Sequence, residues 1–284
     1  MGNKIYPTIK NSILLCLLFI GIQIGLGLLQ GLFQIIFGFS NDSLVMGVLT
    51  ALSSIISFGI VILIGFVKTK RKFNEVFKFN GVSAFLWIAI IVFMAGFVIV
   101  TSELDNLLNY ILPMPEMFRD IFESLMAKQI FLIAIIIIGI IPAVTEELFF
   151  RGIILDGLKN NYSKKTAIFI SALLFGIIHL NPWQFVGAFI IGLISAWICM
   201  ETNSILLSIY MHFFNNALYT ITIRYRELIP IKGFNGNYAT PVDFQPLWFD
   251  LSGLVILIIG TIMLLKGIKE QKTIFENKIQ IDNG

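Results

Sequence analysis

Long apolar runs separated by short polar breaks organise this chain. From Asn11 to Asn41 there are 31 residues without Asp, Glu, Lys or Arg, and from Thr166 to Met200 there are 35. A membrane-spanning helix needs about 20 apolar residues. The runs predict eight such helices, near 12–38, 44–67, 83–101, 129–161, 166–180, 184–200, 203–223 and 247–265. In the first, Gly21-x-x-x-Gly25 and Gly27-x-x-x-Gly31 put small residues on helix faces, a pattern that lets helices pack closely. In the fourth, Pro142 lacks an N–H donor and is expected to kink the helix. Asn181-Pro182 splits the charge-free 166–200 run in two. Between helices three and four lies a net acidic stretch, 103–128, containing Glu103, Asp105, Glu116, Asp120 and Glu123. It is expected to be an outer segment without catalytic work, broken by Pro113 and Pro115, with 117–125 an amphipathic helix along the interface. Residues 224–246 form a second outer loop.

Composition turns this pattern into a class. Of 284 residues, 57% are hydrophobic and 13% charged, against about 25% charged in soluble domains. The expectation is an all-α, polytopic integral membrane protein with one membrane domain over 1–284. Its parts are N-terminal helices over 1–128, core helices over 129–223, and a last helix with its tail over 247–284. The net charge of +3 gives no reason to expect a nucleic-acid partner. The basic residues mark helix ends instead: Lys68, Lys70, Arg71, Lys72 and Lys78, then Lys159, Lys164 and Lys165, then Lys266, Lys269, Lys272 and Lys278. By the positive-inside rule these segments and both termini are cytoplasmic. Cys16 and Cys199 both fall in apolar segments and imply no disulfide framework. The first apolar run is too long for a cleavable signal peptide. A bias toward Ile, Phe, Lys and Asn points to an AT-rich bacterial genome, and the expected location is the cell membrane.

The candidate chemistry lies where polar residues interrupt the apolar half. Glu146, Glu147 and Arg151 follow the run Ile130–Ile141, His179 ends Phe175-Gly-Ile-Ile-His179, and His212 and Asn216 share the seventh helix. A charge at membrane depth costs about 2.5–3.5 kcal/mol on insertion scales. At about 1.5 Å rise per residue, Glu146 is roughly 15–20 Å, His179 about 20 Å and His212 about 16 Å from turns assigned to one face. The three helices thus present these groups at one level. Glu147 and Arg151 are i,i+4 neighbours that can pair. Glu146, about 100° round the helix, is left free as a general base. His179 is placed to orient or deprotonate a water, and His212 with Asn216, also i,i+4, offers two donors for an oxyanion. The plainer readings are backbone-bonded histidines, a structural Glu147–Arg151 pair, and Asn215 as helix–helix glue.

Three motifs in this order, Glu146-Glu147-x-x-x-Arg151, Phe175-x-x-x-His179 and His212-x-x-x-Asn216, resemble the CAAX prenyl protease 2 family and its bacterial relatives, the CPBP (CAAX protease and bacteriocin-processing) or Abi group. The resemblance covers about 142–220. It implies an intramembrane glutamate-dependent endopeptidase in which Glu146 and His179 activate water, His212 and Asn216 stabilise the oxyanion, and Glu147 and Arg151 support the site. It further implies a peptide precursor, bacteriocin leader or membrane-protein substrate, or a part in bacteriocin immunity.

Three other readings stay open on the residues alone. Glu146 or Glu147 with His179 and His212 make a His₂Glu set, a known catalytic zinc shell, although no His-Glu-x-x-His helix is present. With a glutamate mechanism no cofactor is expected. A non-catalytic membrane immunity or adaptor protein would use the motif as a polar latch. A proton-coupled transporter would use it as a relay, though no repeated segment supports that. The expected partners are a peptide or membrane-protein substrate and the lipid bilayer.

Overall fold

The computed structural model describes residues 4–40, 43–234 and 242–282, except for the side chains of 122, 125, 127 and 274–282. The described residues are helical, with no strand beyond an isolated bridge between Phe79 and Ser204. In chain order the helices are α1 (Ile9–Phe37), α2 (Leu44–Thr69), the single turn α3 (Phe73–Val76), α4 (Ala84–Ile111), α5 (Glu116–Glu123), α6 (Phe131–Asn161), α7 (Lys164–Ile177), α8 (Pro182–Thr202), α9 (Leu206–Arg224) and α10 (Leu247–Asp282). Six of them, α1, α2, α4, α6, α8 and α10, are long and apolar enough to cross a membrane. The protein is an all-α multi-pass membrane protein. The other two of the eight expected spans are present as α7, with only 14 residues, and α9, whose apolar character is diluted by His212, Asn215 and Asn216.

Local chemistry sets the boundaries. Thr8, Ser43, Ser163 and Asn181 cap α1, α2, α7 and α8, each accepting from a backbone N–H in the first turn, the role for which short polar side chains suit an N-cap. Pro182 takes the first position of α8, where a missing N–H costs nothing.

Three expectations need correction. The third span does not stop at 101. Leu104, Leu107 and Ile111 keep a helical spacing, so α4 runs on to Ile111 and carries Glu103 and Asp105 within it. The acidic residues read as loop, but the helix period continued beneath them. The last span does not stop at 265, since α10 continues to Asp282. The glycines of α1 do not mediate packing: a Cβ at Gly21, Gly25, Gly27 or Gly31 would meet nothing within 4 Å. They lie on outward faces. Close approach occurs instead between α4 and α10, where a Cβ at Gly96 would strike the Leu257 backbone and one at Gly260 the Phe93 backbone. Of the expected loop 224–246, residues 235–241 lie outside the described residues. The flanks dock on α4: Asn106 Nδ2 donates to Gly233 O at 2.7 Å and Gln245 N–H to Glu103 Oε2 at 3.0 Å.

The basic segments gather at one end of the bundle. Asp156 pairs with Arg71 and, at 2.8 Å, with Lys159, while Glu201 is held between Lys164 and Lys272. Through the middle runs α6, with Phe149, Phe150, Ile153 and Ile154 fully buried. It is not a uniform α-helix, because Ile135–Ile140 and Leu148–Leu155 widen into π-helical turns on either side of Ile141–Glu147. Such widenings are frequent at functional sites, and here they bracket both glutamates.

Candidate active site

Pro142 starts the construction of the site. It removes one N–H from the backbone ladder just past the π-helical turn, in which Ile141 N–H reaches Ile136 O five residues earlier. At membrane depth an unpaired carbonyl costs several kcal/mol. Asn216 donates into this weakened stretch from α9: its Nδ2 bonds Ile138 O at 2.9 Å. The second amide hydrogen of Asn216 is not used in that bond, and its Oδ1 accepts from Asn215 Nδ2 at 3.1 Å.

One turn beyond Pro142 the two glutamates diverge. Glu147 points into the protein and is 1% exposed, with Arg151, 2% exposed, beside it. Arg151 Nε lies 2.9 Å from Glu147 Oε2, and Nη2 donates to Gly192 O at 3.2 Å. Nη1 has no hydrogen-bond partner, and Nε meets the carboxylate as a charge contact without a directed hydrogen bond. The guanidinium rests on the Phe175 ring, 4.9 Å from its centroid, where a cation is attracted to the π face. Glu147 also accepts from Ser195 Oγ at 2.8 Å and faces His212 Nδ1 at 3.1 Å. Both of its oxygens are committed to these partners.

Glu146 is different. Its side chain is 13% exposed, and Oε2 is buried without a hydrogen-bond partner, 4.0 Å from His212 Nε2. It lines a cavity of about 340 Å³ whose wall also includes His179, His212, Asn215 and Asn216, and to which Glu147 and Arg151 do not contribute. The volume lies within the usual range for small-ligand sites, roughly 300–1,000 Å³.

The hydrogen bonds fix the histidine tautomers. His179 Nδ1 lies 2.9 Å from Phe175 O. A carbonyl only accepts, so Nδ1 carries the hydrogen and Nε2 presents a lone pair. His212 Nδ1 faces the Glu147 carboxylate and is likewise the N–H side, so its Nε2 is turned toward Glu146. Phe175 holds both rings in place, edge to face, at 5.4 Å from His179 and 5.6 Å from His212.

The structure therefore brings Glu146, His179, His212 and Asn216 to one cavity and puts the Glu147–Arg151 pair behind it. Three contributors were not found from sequence. Ser195 and Gly192, one turn apart on α8, hold the ion pair from the far side. Nothing in a charge-free run marks them, although Ser195 is one of the few hydroxyls there, with Thr166 and Ser171. Asp105 of α4 also lines the cavity. Among the described residues no group of three or more His, Cys, Asp or Glu side chains is gathered closely enough to hold a metal ion.

Comparison with known proteins places this core. Residues 128–218 match the model of the Rce1-like family, described as type II CAAX prenyl endopeptidase Rce1-like. The resemblance carried by the three motifs is thus borne out over the segment that carries Glu146, His179, His212 and Asn216. The chain is also 34% identical over 77 residues to the UPF0177 protein YxdF of Lactococcus lactis subsp. lactis (strain IL1403), a match covering 27% of this chain and 42% of that protein's length. No solved structure matches.

Proposed function

We infer, from the likeness of residues 128–218 to CAAX-type endopeptidases, that the protein is an intramembrane endopeptidase that activates water with Glu146 and His179. The observation that carries this reading is the unpartnered Glu146 carboxylate, which shares one cavity with two histidines and Asn216. A general base needs a free lone pair within reach of the proton it removes. Glu146 has one, while Glu147 is engaged by three side chains.

In the proposed step, a water held between Glu146 and His179 Nε2 attacks the carbonyl carbon of the scissile peptide. Glu146 takes the proton as the carbon–oxygen bond forms. The carbonyl electrons move to oxygen, and the oxyanion is bound by the free amide hydrogen of Asn216. His212 adds a second donor through Nε2 when that atom is protonated, with the Glu147 carboxylate behind it as counter-charge. Collapse of the intermediate breaks the C–N bond, and Glu146 returns the proton to the leaving amine. Donors placed where charge develops are worth more in a dry, low-dielectric site than in water. Substrates of this reading are membrane-associated proteins or peptide precursors.

The test is proteolysis by the purified full chain in detergent, using a panel of membrane-anchored and leader-peptide substrates with and without a strong chelator. Cleavage indifferent to chelator is expected. Cleavage abolished by chelator and restored by zinc would replace the glutamate mechanism with a metal one. Absence of cleavage together with full cellular function of Glu146→Gln would replace catalysis with an adaptor role.

A further inference from the structure

The cavity has a second acidic group that the proposed reaction does not use. Phe97, Val98, Thr101, Asp105, Leu108 and Asn109 line it from α4. Their spacing is that of a single helix face, so Asp105 belongs to the wall by construction. Thr101 Oγ1 is bonded back to Phe97 O, and Asn109 Oδ1 accepts from Met114 N–H. Asp105, by contrast, makes no hydrogen bond or ion pair to any described residue. Among the described residues no lysine or arginine lines the cavity, and Asp105 and Glu146 are its carboxyl side chains. Arg151 lies behind the wall and is taken by Glu147.

A carboxylate set in a largely apolar wall is normally paired with a cation. Here no described residue provides a pair, and Asp105 lines the space a substrate would fill. Resting on the reading of this cavity as a peptide site, we propose that Asp105 is a specificity residue that binds a cationic group of the substrate, a lysine or arginine side chain or an α-ammonium. An ammonium or guanidinium entering the cavity gains a charge-assisted hydrogen bond. A neutral side chain of equal length gains none, and an acidic one meets two carboxylates.

Binding tests this apart from cleavage. The protein is the full chain carrying Glu146→Gln in detergent. The probe is a fluorescent, N-acetylated, amidated decapeptide of alanine and leucine with one central lysine. Norleucine and glutamate versions replace the lysine, and a free-amine version of the norleucine peptide separates an α-ammonium from a side-chain ammonium. The lysine or free-amine peptide should bind more than about tenfold tighter than acetylated norleucine, the margin expected of a hydrogen bond to a charged group. Asp105→Asn should erase that gap, and Asp105→Lys should turn the preference toward glutamate. Since Asp105 has no hydrogen-bonding partner among the described residues, Asp105→Asn should unfold at the wild-type temperature. Equal binding of the lysine and acetylated norleucine peptides, no binding of either cationic peptide, or a preference that survives Asp105→Asn would overturn the assignment. If wild type cleaves without a charge preference, the peptidase reading stands and this one falls. A charge preference without cleavage gives the reverse.

Discussion

Between α1 and α2 the polar contacts are neutral. Ser57 Oγ donates to Gln23 Oε1 at 2.9 Å, and Gln30 Nε2 to Thr50 Oγ1 at 2.8 Å. Among α6, α8 and α9 neutral bonds such as Asn216 to Ile138 O are joined by a buried ionic set, with Arg151, Glu147, Ser195 and His212 connected. Both regions satisfy polar groups in an apolar medium. The first does so with interchangeable pairs on helices whose outer residues, such as Leu28 and Ile35, are largely exposed. The second does so with charges that are affordable only in one geometry. The family match covers the ionic set, beginning at residue 128, and leaves out α1, α2, α4 and α10. Neutral contacts join helices, whereas the buried ion pair holds a cavity wall in register and leaves one carboxylate over.

The comparison breaks most directly at Arg151. Arg151→Met leaves Glu147 charged and buried without its cation, which should cost about 3–5 kcal/mol of stability, read as the shift in denaturant unfolding in detergent. An unchanged unfolding curve would mean that the pair is not structural. Asn216→Ala sharpens the contrast, because the residue serves both fold and chemistry. Removing it takes the side-chain donor from the Ile138 carbonyl at about 1–3 kcal/mol and should lower the turnover number by about 10²–10³ if Asn216 is an oxyanion donor. Loss of stability without loss of rate would confine it to bonding the stretch weakened by Pro142. The smallest effect belongs to the neutral pair. Gln23→Leu should cost about 0.6 kcal/mol, the average for such bonds in membrane proteins, and leave peptide cleavage at the wild-type rate. A large loss of cleavage would show that α1 and α2 take part in the site.

How much was legible follows the same line. The ion pair was readable because its members are i,i+4 on one helix, and local spacing carries that information. The meeting of Glu146, His179, His212 and Asn216 was readable only as matched depth on separate helices. The actual partners were not. That His212 faces Glu147, that Ser195 backs it, and that Asn216 bonds the Ile138 carbonyl near Pro142 all depend on the rotation of one helix against another, which a single sequence does not encode locally. Asp105 was misplaced for a different reason. Acidic residues followed by Pro113 and Pro115 read as an outer loop, although Leu104, Leu107 and Ile111 kept the helical period. The glycines of α1 show the converse error, since spacing that permits close packing does not supply a neighbour to pack against.

The central claim is that two adjacent glutamates have separate work, one catalytic and one structural. The most direct measurement compares Glu146→Gln and Glu147→Gln in parallel, following cleavage and unfolding of each. Glu146→Gln should lose about 10²–10⁴ in rate, the range for a general base, and unfold like wild type, because Glu146 Oε2 has no hydrogen bond to lose. Glu147→Gln should be destabilised through its buried pair with Arg151. Wild-type cleavage by Glu146→Gln, or destabilisation of that variant equal to Glu147→Gln, would contradict the account.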